Sequence, residues 1–554
     1  MKTRIGKFAS LLAVMLSLTL LIGGCGSGGS AGTTPTGTVS VNVTDAPGLE
    51  YQNVWITIKG VWLHTSADAG DVTNDPGWVK ADLASPVTID LATLATGNLQ
   101  SLFSKPLPTG TYRQIRVFLV PTEAQPTASA QAAGLLFNNE IRLANDPTQY
   151  PLRVPYAEGG IKLIPETPVI VTAGGSANIA IDFNACEDIV ETERQGTGGA
   201  ANDVEFVLKP RLGYFDINNA AAITGSIVPP TPFTFANYTG KNFVIKAEQP
   251  NQVDGSYRVA LRATTIKSDG SFVLYPLPVF GNATTATYDV MLRGRNVQTQ
   301  IVTGVKVHKG TTAANGTSVG PAIVMTPDTN PEYTVQVNVN PTGSWVNFYQ
   351  TLPGDPAPYE IRYRHVDPYS ANGTFFQPIE LSSDPLQVAP WNSGGVLSFN
   401  STTPVEGAGN FSAVAVAILY DRSTALAVTP LTNTLLFGSL SVSAPAVARQ
   451  VTGTIQVPLT MTTLNSGAIF AVQGGMIVNR LDVNTLMQPG NNSYIFGSLP
   501  GGTPATPLPG AFYGLYAVGW DSTSPKASRV YGGPDFVDLR TINGIANFLM
   551  WSFY

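Results

Sequence analysis

The sequence predicts an all-β protein, a string of about four antiparallel β-sandwich modules. Three observations carry that expectation. At 554 residues the chain is too long for one compact core and suits several domains of ordinary size. Hydrophobic residues make up 43 % and charged residues only 12 %, while 55 Gly and 42 Pro favour short strands closed by turns over long helices. Apolar residues recur with period two at many places, the spacing of a strand that turns one face to a core.

The N-terminus is read differently. Lys2, Arg4 and Lys7 precede the apolar run 11–22, which is shorter than the roughly 20 residues needed to span a bilayer. Ile22-Gly23-Gly24-Cys25 closes the run in the form of a bacterial lipobox: small residues admit a peptidase, and the Cys25 thiol takes the diacylglycerol. Residues 1–24 are therefore expected to be a lipoprotein signal peptide, with Cys25 the lipid-bearing first residue of the mature chain. Each acyl CH₂ buried in the membrane contributes about 0.8 kcal/mol. No second apolar run is long enough to span, so the expected partner is one membrane leaflet, reached through lipid. Gly26, where an Asp would retain the chain at the inner membrane, favours the outer membrane of the cell envelope.

Residues 25–37 are rich in Gly, Ser and Thr and read as a flexible tether. They contain Gly28-Gly29-Ser30-Ala31-Gly32, a G-x-S-x-G match with neither the preceding strand nor the following helix that a nucleophile elbow requires. The formal charge is −6, and losing Lys2, Arg4 and Lys7 with the signal takes the mature chain to −9. Without a basic stripe, nucleic acid is not an expected partner. The only other cysteine, Cys186, has no intramolecular partner once Cys25 carries lipid, so the modules must fold without disulfides.

The first module is expected at 38–218. Val39, Val41 and Val43 alternate with polar residues, as do Val54, Ile56 and Ile58. Further strands are readable at 87–91, 112–120, 169–172 and 179–183, with a short helical turn within 91–103. Thr44-Asp45-Ala46-Pro47, Leu107-Pro108-Thr109-Gly110-Thr111-Tyr112, Ile181-Asp182-Phe183-Asn184-Ala185 and Val207-Leu208-Lys209-Pro210 together resemble the bacterial DUF4382 domains, found at the start of many predicted envelope lipoproteins. The resemblance implies a location and a fold, and no activity. The sharpest chemistry in this module is a Ca²⁺ site: Asp45 and Asp182 sit at strand ends, and Glu187, Asp188, Glu191 and Glu193 follow. Against it, Asp45 also fits a turn cap, no spaced D-x-D-x-D-G loop occurs, and Asn184 stands where the family usually has an acid. No cofactor is otherwise expected.

Two later segments look alike. Ile223-Thr224-Gly225-Ser226-Ile227 is followed by Leu277-Pro278 and a Tyr288 strand; Val451-Thr452-Gly453-Thr454-Ile455 is followed by Leu499-Pro500 and a Tyr513 strand. Both resemble carboxypeptidase-regulatory-like, transthyretin-type sandwiches, which places modules at 219–328 and 447–554. Between them, 333–339, 359–363 and a continuous apolar run 411–420 predict a further sandwich at 329–446 of no recognised family.

Catalytic groups do not gather. His64, His308 and His365 are spread one to a module, outside any metal-ligand spacing. Glu187 and Asp188 beside Cys186 would raise its thiol pKa and suppress its nucleophilicity. Asp367, Glu380 and Asp421 could in principle supply a carboxylate pair, but nothing in their spacing singles one out. Trp55, Trp62 and Trp78, with Trp391, Trp520 and Trp551 later, suit either core packing or stacking on sugar rings. The terminal 548–554 aromatics read as a last core strand. The expected function is a lipid-anchored envelope protein with a structural, adhesive or binding role and no catalysis. The alternative is a surface glycan-binding protein or glycosidase accessory, with a glycan or another envelope protein as partner.

Overall fold

Alternation is realised as burial: Val39, Val41 and Val43 are fully enclosed, while Ser40 and Asn42 between them are half-buried on the opposite face. The computed structural model describes residues 34–550, apart from 47–50, 70–74, 144–145, 156, 158, 166, 194–203, 239–242, 253–254, 329–331, 369–372, 381–385, 402–410, 430–431, 475 and 522–529. Cys25, the signal peptide and most of the tether lie outside the described residues.

The main strands of the first sandwich are β1 (Thr36–Ala46), β2 (Tyr51–His64), β3 (Trp78–Asp90), β4 (Gln100–Pro108), β5 (Gln114–Leu119), β6 (Ser176–Asn184), β7 (Ile189–Glu193), β8 (Val204–Leu208) and β9 (Gly213–Asp216). One sheet runs β9-β6-β1-β4; the other has eight strands, with β2 paired to β3 and β5 and with β7-β8 at one end. Ile56, Ile58, Ile181 and Phe183 join the β1 valines in the core between them. The sandwich is not purely antiparallel: β1 and β6 run parallel, with Thr44 opposite Asp182 and Asp45 opposite Phe183. The helical turn expected within 91–103 is confined to a 3₁₀ turn, Leu91–Leu94, capped by Asp90 accepting from the Ala92 amide at 3.2 Å. From Gln100 the chain is already strand β4, which antiparallel pairing to β1 holds extended.

The remaining chain repeats one topology three times. Its first instance contains β10 (Ala220–Val228), β11 (Phe243–Pro250), β12 (Arg258–Thr264), β13 (Ser271–Pro278), β14 (Thr285–Gly294) and β15 (Gln300–His308). Here β10 pairs antiparallel with β13 and parallel with the short strands Thr317–Ser318 and Ile323–Val324, and the facing sheet runs β12-β11-β14-β15. The next has β16 (Glu332–Asn340), β17 (Trp345–Gln350), β18 (Tyr359–His365), β19 (Thr374–Glu380), β20 (Phe411–Val416), β21 (Leu426–Val428) and β22 (Thr434–Ser439), ordered β19-β16-β22 and β18-β17-β20-β21. The last has β23 (Val447–Val457), β24 (Ser466–Gln473), β25 (Met476–Asp482), β26 (Gly490–Gly501), β27 (Phe512–Trp520) and β28 (Val530–Asp538), ordered with β23 between β26 and the short strands Gly544–Ile545 and Phe548–Leu549, facing β25-β24-β27-β28. The middle sandwich, without a family signature in its sequence, has the strand order of its two neighbours.

The shared Leu-Pro and Tyr signals have a common physical basis. Tyr288 on β14 donates its hydroxyl to the Pro278 carbonyl at 2.5 Å, and Tyr513 on β27 donates to the Pro500 carbonyl at 2.7 Å. Each ties one sheet to the end of a strand in the other and satisfies a carbonyl whose residue has no N–H of its own.

Two details depart from simple strand reading. The apolar run 411–420 stops being strand at Val416, because Leu419 takes a left-handed φ of 65° in a turn closed by Tyr420 N–H to the Ala417 carbonyl. Gln387–Pro390, within the 329–446 stretch, pairs parallel with β15, and Asn400–Ser401 pairs with it in turn, extending the neighbouring sheet to six strands.

Candidate functional sites at the module junctions

The six-stranded sheet is covered on both faces. Val290, Leu292 and Val305 face their own module, whereas Met291 and Ile301 pack into the core of the following one. Polar residues on that second face are therefore carried into a protein interface, and three junctions hold buried carboxyl, amine and imidazole groups whose pKa values are shifted.

At the junction of the first and second modules, Arg262 on β12 reaches into the ends of β1 and β6. It donates to Asp182 Oδ1 at 2.5 Å, Thr44 Oγ1 at 2.9 Å and the Asp45 carbonyl at 2.6 Å, and its side chain is only 1 % exposed. Asp45 Oδ1 accepts from the Ala185 amide at 3.0 Å, capping the one-turn helix Ala185–Asp188. Burial raises the pKa of Asp45 well above the usual carboxylate value; it also raises that of Asp182, against the opposing pull of Arg262. The two acids picked out for Ca²⁺ are thus brought together, but the positive charge beside them is the protein's own guanidinium. Among the described residues no group of three or more His, Cys, Asp or Glu is placed to hold a metal ion. Glu191 is exposed, and the side chains of Glu187 and Glu193 lie outside the described residues.

Lys209, just after β8, joins the first module to the third. It is fully buried and donates to the carbonyls of Thr342 and Val366, each at 2.9 Å. Burial pushes its pKa down to about 7, so the amine readily loses its proton and still keeps a hydrogen for each carbonyl. Asp188 accepts from the Tyr363 hydroxyl at 2.9 Å and the Arg211 amide at 2.9 Å and stands 3.3 Å from His365 Nε2; burial pushes its pKa up to about 6. Burial holds His365 well below the usual histidine value, and so neutral. Arg211 stacks its guanidinium 4.7 Å from the rings of both Trp345 and Tyr363.

The second and third modules share the most extensive network. Arg258 on β12 pairs with Asp289 at 3.0 Å and with Asp355 of the third module at 2.7 Å, and Tyr359 donates to Asp289 at 2.9 Å. Deeper in, Glu248 on β11 accepts from the Glu360 amide at 2.9 Å, and Lys246 lies 3.9 Å from the Glu360 carboxylate. Burial pushes the Glu248 carboxyl up to about 8.

The chain also closes on itself. The Lys162 amide of the first module donates to the Gly474 carbonyl of the fourth at 2.8 Å. Gly474 has φ +61°, and a Cβ there would lie 2.8 Å from Lys162 Cβ, so only glycine allows this approach.

The other sequence candidates are dispersed. His64 accepts from the Ser66 amide and contacts Asp75; His308 is exposed. Asp367 acts electrostatically on Lys209, Asp421 is exposed on a loop, and the side chain of Glu380 lies outside the described residues. Trp62 packs 4.3 Å from Phe118 with Lys80 over its ring, and Trp78 is buried beside it. Trp551 and the side chain of Cys186 lie outside the described residues. An open groove of about 340 Å³ runs between the first and second modules, with Tyr214, Asp216, Asn218, Phe280 and Asn282 among its lining. The junction residues escape sequence reading because a charged residue on the polar face of a strand looks the same whether water or a neighbouring module covers it. The one available signal is Lys246 and Glu248 in a strand that opens with the apolar run Phe243-Val244-Ile245.

The family described as "Domain of unknown function (DUF4382)" matches residues 36–210. That segment is a DUF4382 domain. It ends one residue beyond Lys209, so both Asp182 and Lys209, which fasten the second and third modules, belong to the DUF4382 domain itself. No curated protein matches the sequence. Among solved structures, the chain is similar to the Bacillus anthracis TIE protein, at 9 % identity over 95 % of this chain and 75 % of that one, with a TM-score of 0.13. It is also similar to the two B repeat units of the collagen binding protein of Staphylococcus aureus, at 8 % identity over 93 % and 98 %, with a TM-score of 0.12. A Streptococcal ancillary pilin aligns at 9 % identity over 60 % and 99 %, with a TM-score of 0.14. Among the described residues no helix is long and apolar enough to cross a membrane.

Proposed function

We propose that this chain is a lipid-anchored protein of the cell envelope that works as a structural, adhesive or binding element and performs no catalysis. The observation that carries this reading is the use of the buried ionisable groups: Arg262, Lys209, Asp188 and Glu248 are each spent on a buried contact across a module boundary. Such contacts suit a body that keeps its modules in fixed relation, since removing one partner strands the other charge away from water. The lipobox at Ile22 to Cys25 supports attachment through Cys25, and Gly26 supports the outer membrane. We read 219–328 and 447–554 as carboxypeptidase-regulatory-like modules, a reading supported by their common strand order and their paired Tyr–Pro bonds.

A glycan-binding role is favoured by one feature, the groove in which the aromatic rings of Tyr214 and Phe280 adjoin the polar side chains of Asp216, Asn218 and Asn282. Fractionation of cells carrying Cys25→Ala tests the anchor: the variant should lose acyl label and leave the membrane, and undiminished retention would overturn the anchoring. A glycan array with the wild-type chain and Tyr214→Ala tests the groove. Binding lost in the variant would move the assignment to the glycan-binding class, and turnover of any arrayed glycan would refute the non-catalytic reading.

A further inference from the structure

On the sheet face that meets the third module, Lys246 of β11 stands beside a carboxyl group that also holds an asparagine. Asn347 on β17 donates its Nδ2 to Glu360 Oε2 at 2.7 Å, and Lys246 Nζ stands 3.9 Å from Glu360 Oε1. The amine and the amide therefore address the two oxygens of one carboxyl group from opposite modules. All three side chains are buried: Lys246 is 3 % exposed, Glu360 5 % and Asn347 6 %. Glu248, completely buried two residues along β11, completes the cluster through the Glu360 amide. Asn347 Oδ1 and Glu248 Oε1 are buried without hydrogen-bond partners.

We propose that this cluster is a self-modification site, at which Lys246 Nζ and Asn347 Cγ join in an isopeptide bond that covalently fastens the second module to the third. The reaction needs no external reagent. The neutral Lys246 amine attacks Asn347 Cγ, the Nζ–Cγ bond forms and the Cγ–Nδ2 bond breaks. The proton released by Nζ passes through the Glu360 carboxyl to Nδ2, and the nitrogen departs as one molecule of ammonia. Amine, carboxamide and carboxyl meet in one buried cluster, with the Glu360 carboxyl between the other two. Burial keeps the Glu248 carboxyl protonated at neutral pH, which leaves its unpartnered oxygen able to donate. Asn347 Oδ1, the atom on which negative charge develops as the tetrahedral intermediate forms, is the unpartnered acceptor in the same cluster. The product replaces a buried primary amine and a buried primary amide with one secondary amide. Nothing in this step depends on what the protein binds at the cell surface.

The test is mass spectrometry of the wild-type chain, purified from membranes in detergent, denatured and digested with trypsin. Cleavage after Lys241, Arg258, Lys309 and Arg362 should release one branched peptide joining 242–258 to 310–362, uncut at Lys246 and lighter by one ammonia than the two peptides together. Lys246→Met and Glu360→Gln should each give the two segments unjoined. Separate, unmodified peptides from wild-type protein that is folded by circular dichroism would overturn the proposal, whatever the variants do. A branched peptide that persists undiminished in Glu360→Gln would overturn the proton route through Glu360.

Discussion

Replacing Arg262 with alanine is the sharpest test of the junctions as structural fastenings. The guanidinium makes three hydrogen bonds into the DUF4382 domain and is 1 % exposed, and the Asp182 side chain it leaves behind is 13 % exposed. Removing one member of a buried pair while the other stays charged costs about 3–5 kcal/mol, against about 1 kcal/mol or less for an exposed pair. Arg262→Lys keeps the charge but loses the planar fork that reaches Asp182, Thr44 and Asp45 together, and should lie between wild type and alanine. Urea unfolding of the full chain, read as the first transition because several modules need not melt together, should move down by that amount in Arg262→Ala. The loss should shrink on acidification. Burial already raises the pKa of Asp182, and losing Arg262 removes what opposes that shift, so Asp182 takes up its proton above the ordinary carboxylate range and the stranded charge is abolished. A loss below about 1 kcal/mol at neutral pH, or one that grows as the pH falls, would refute the reasoning.

Lys209 gives a pH signature of the opposite sense. Its folded pKa of about 7 lies below its ordinary 10.5, so the folded state binds fewer protons over that interval and stability should rise with pH from about 7 upward. Lys209→Met should flatten that rise, while the contribution of Asp188, raised to about 6, is lost over a lower window as pH climbs through it. Tyr513→Phe should cost about 1 kcal/mol, the net worth of a buried hydrogen bond, read as a lower melting point of the fourth module. Adding Ca²⁺ or a chelator should leave the melting of the wild-type chain unchanged, because Arg262 occupies the acidic strand ends; a Ca²⁺-dependent rise abolished by Asp182→Asn would establish a cation site there.

The sequence by itself determined the fold class and much of the strand map. Alternation at Val39 to Val43 and Val54 to Ile58 forces one face inward, because a residue at every second position points the same way in any strand. It also marked the second and fourth modules as alike, since the Leu-Pro and Tyr spelling encodes a hydrogen bond within one module. Tertiary structure alone decided the rest. Nothing local announces that 387–390 leaves its own stretch for the β15 edge, or that the middle module shares its neighbours' topology. Asp45 and Asp182 were legible as acids at strand ends; that they answer to Arg262, 80 residues beyond Asp182, was not. The same holds for Lys209 with Val366 and for Lys246 with Asn347 and Glu360. Periodicity fixes which way a side chain points relative to its own backbone, whereas burial of a charge depends on what another module places against that face, and only the folded chain supplies it.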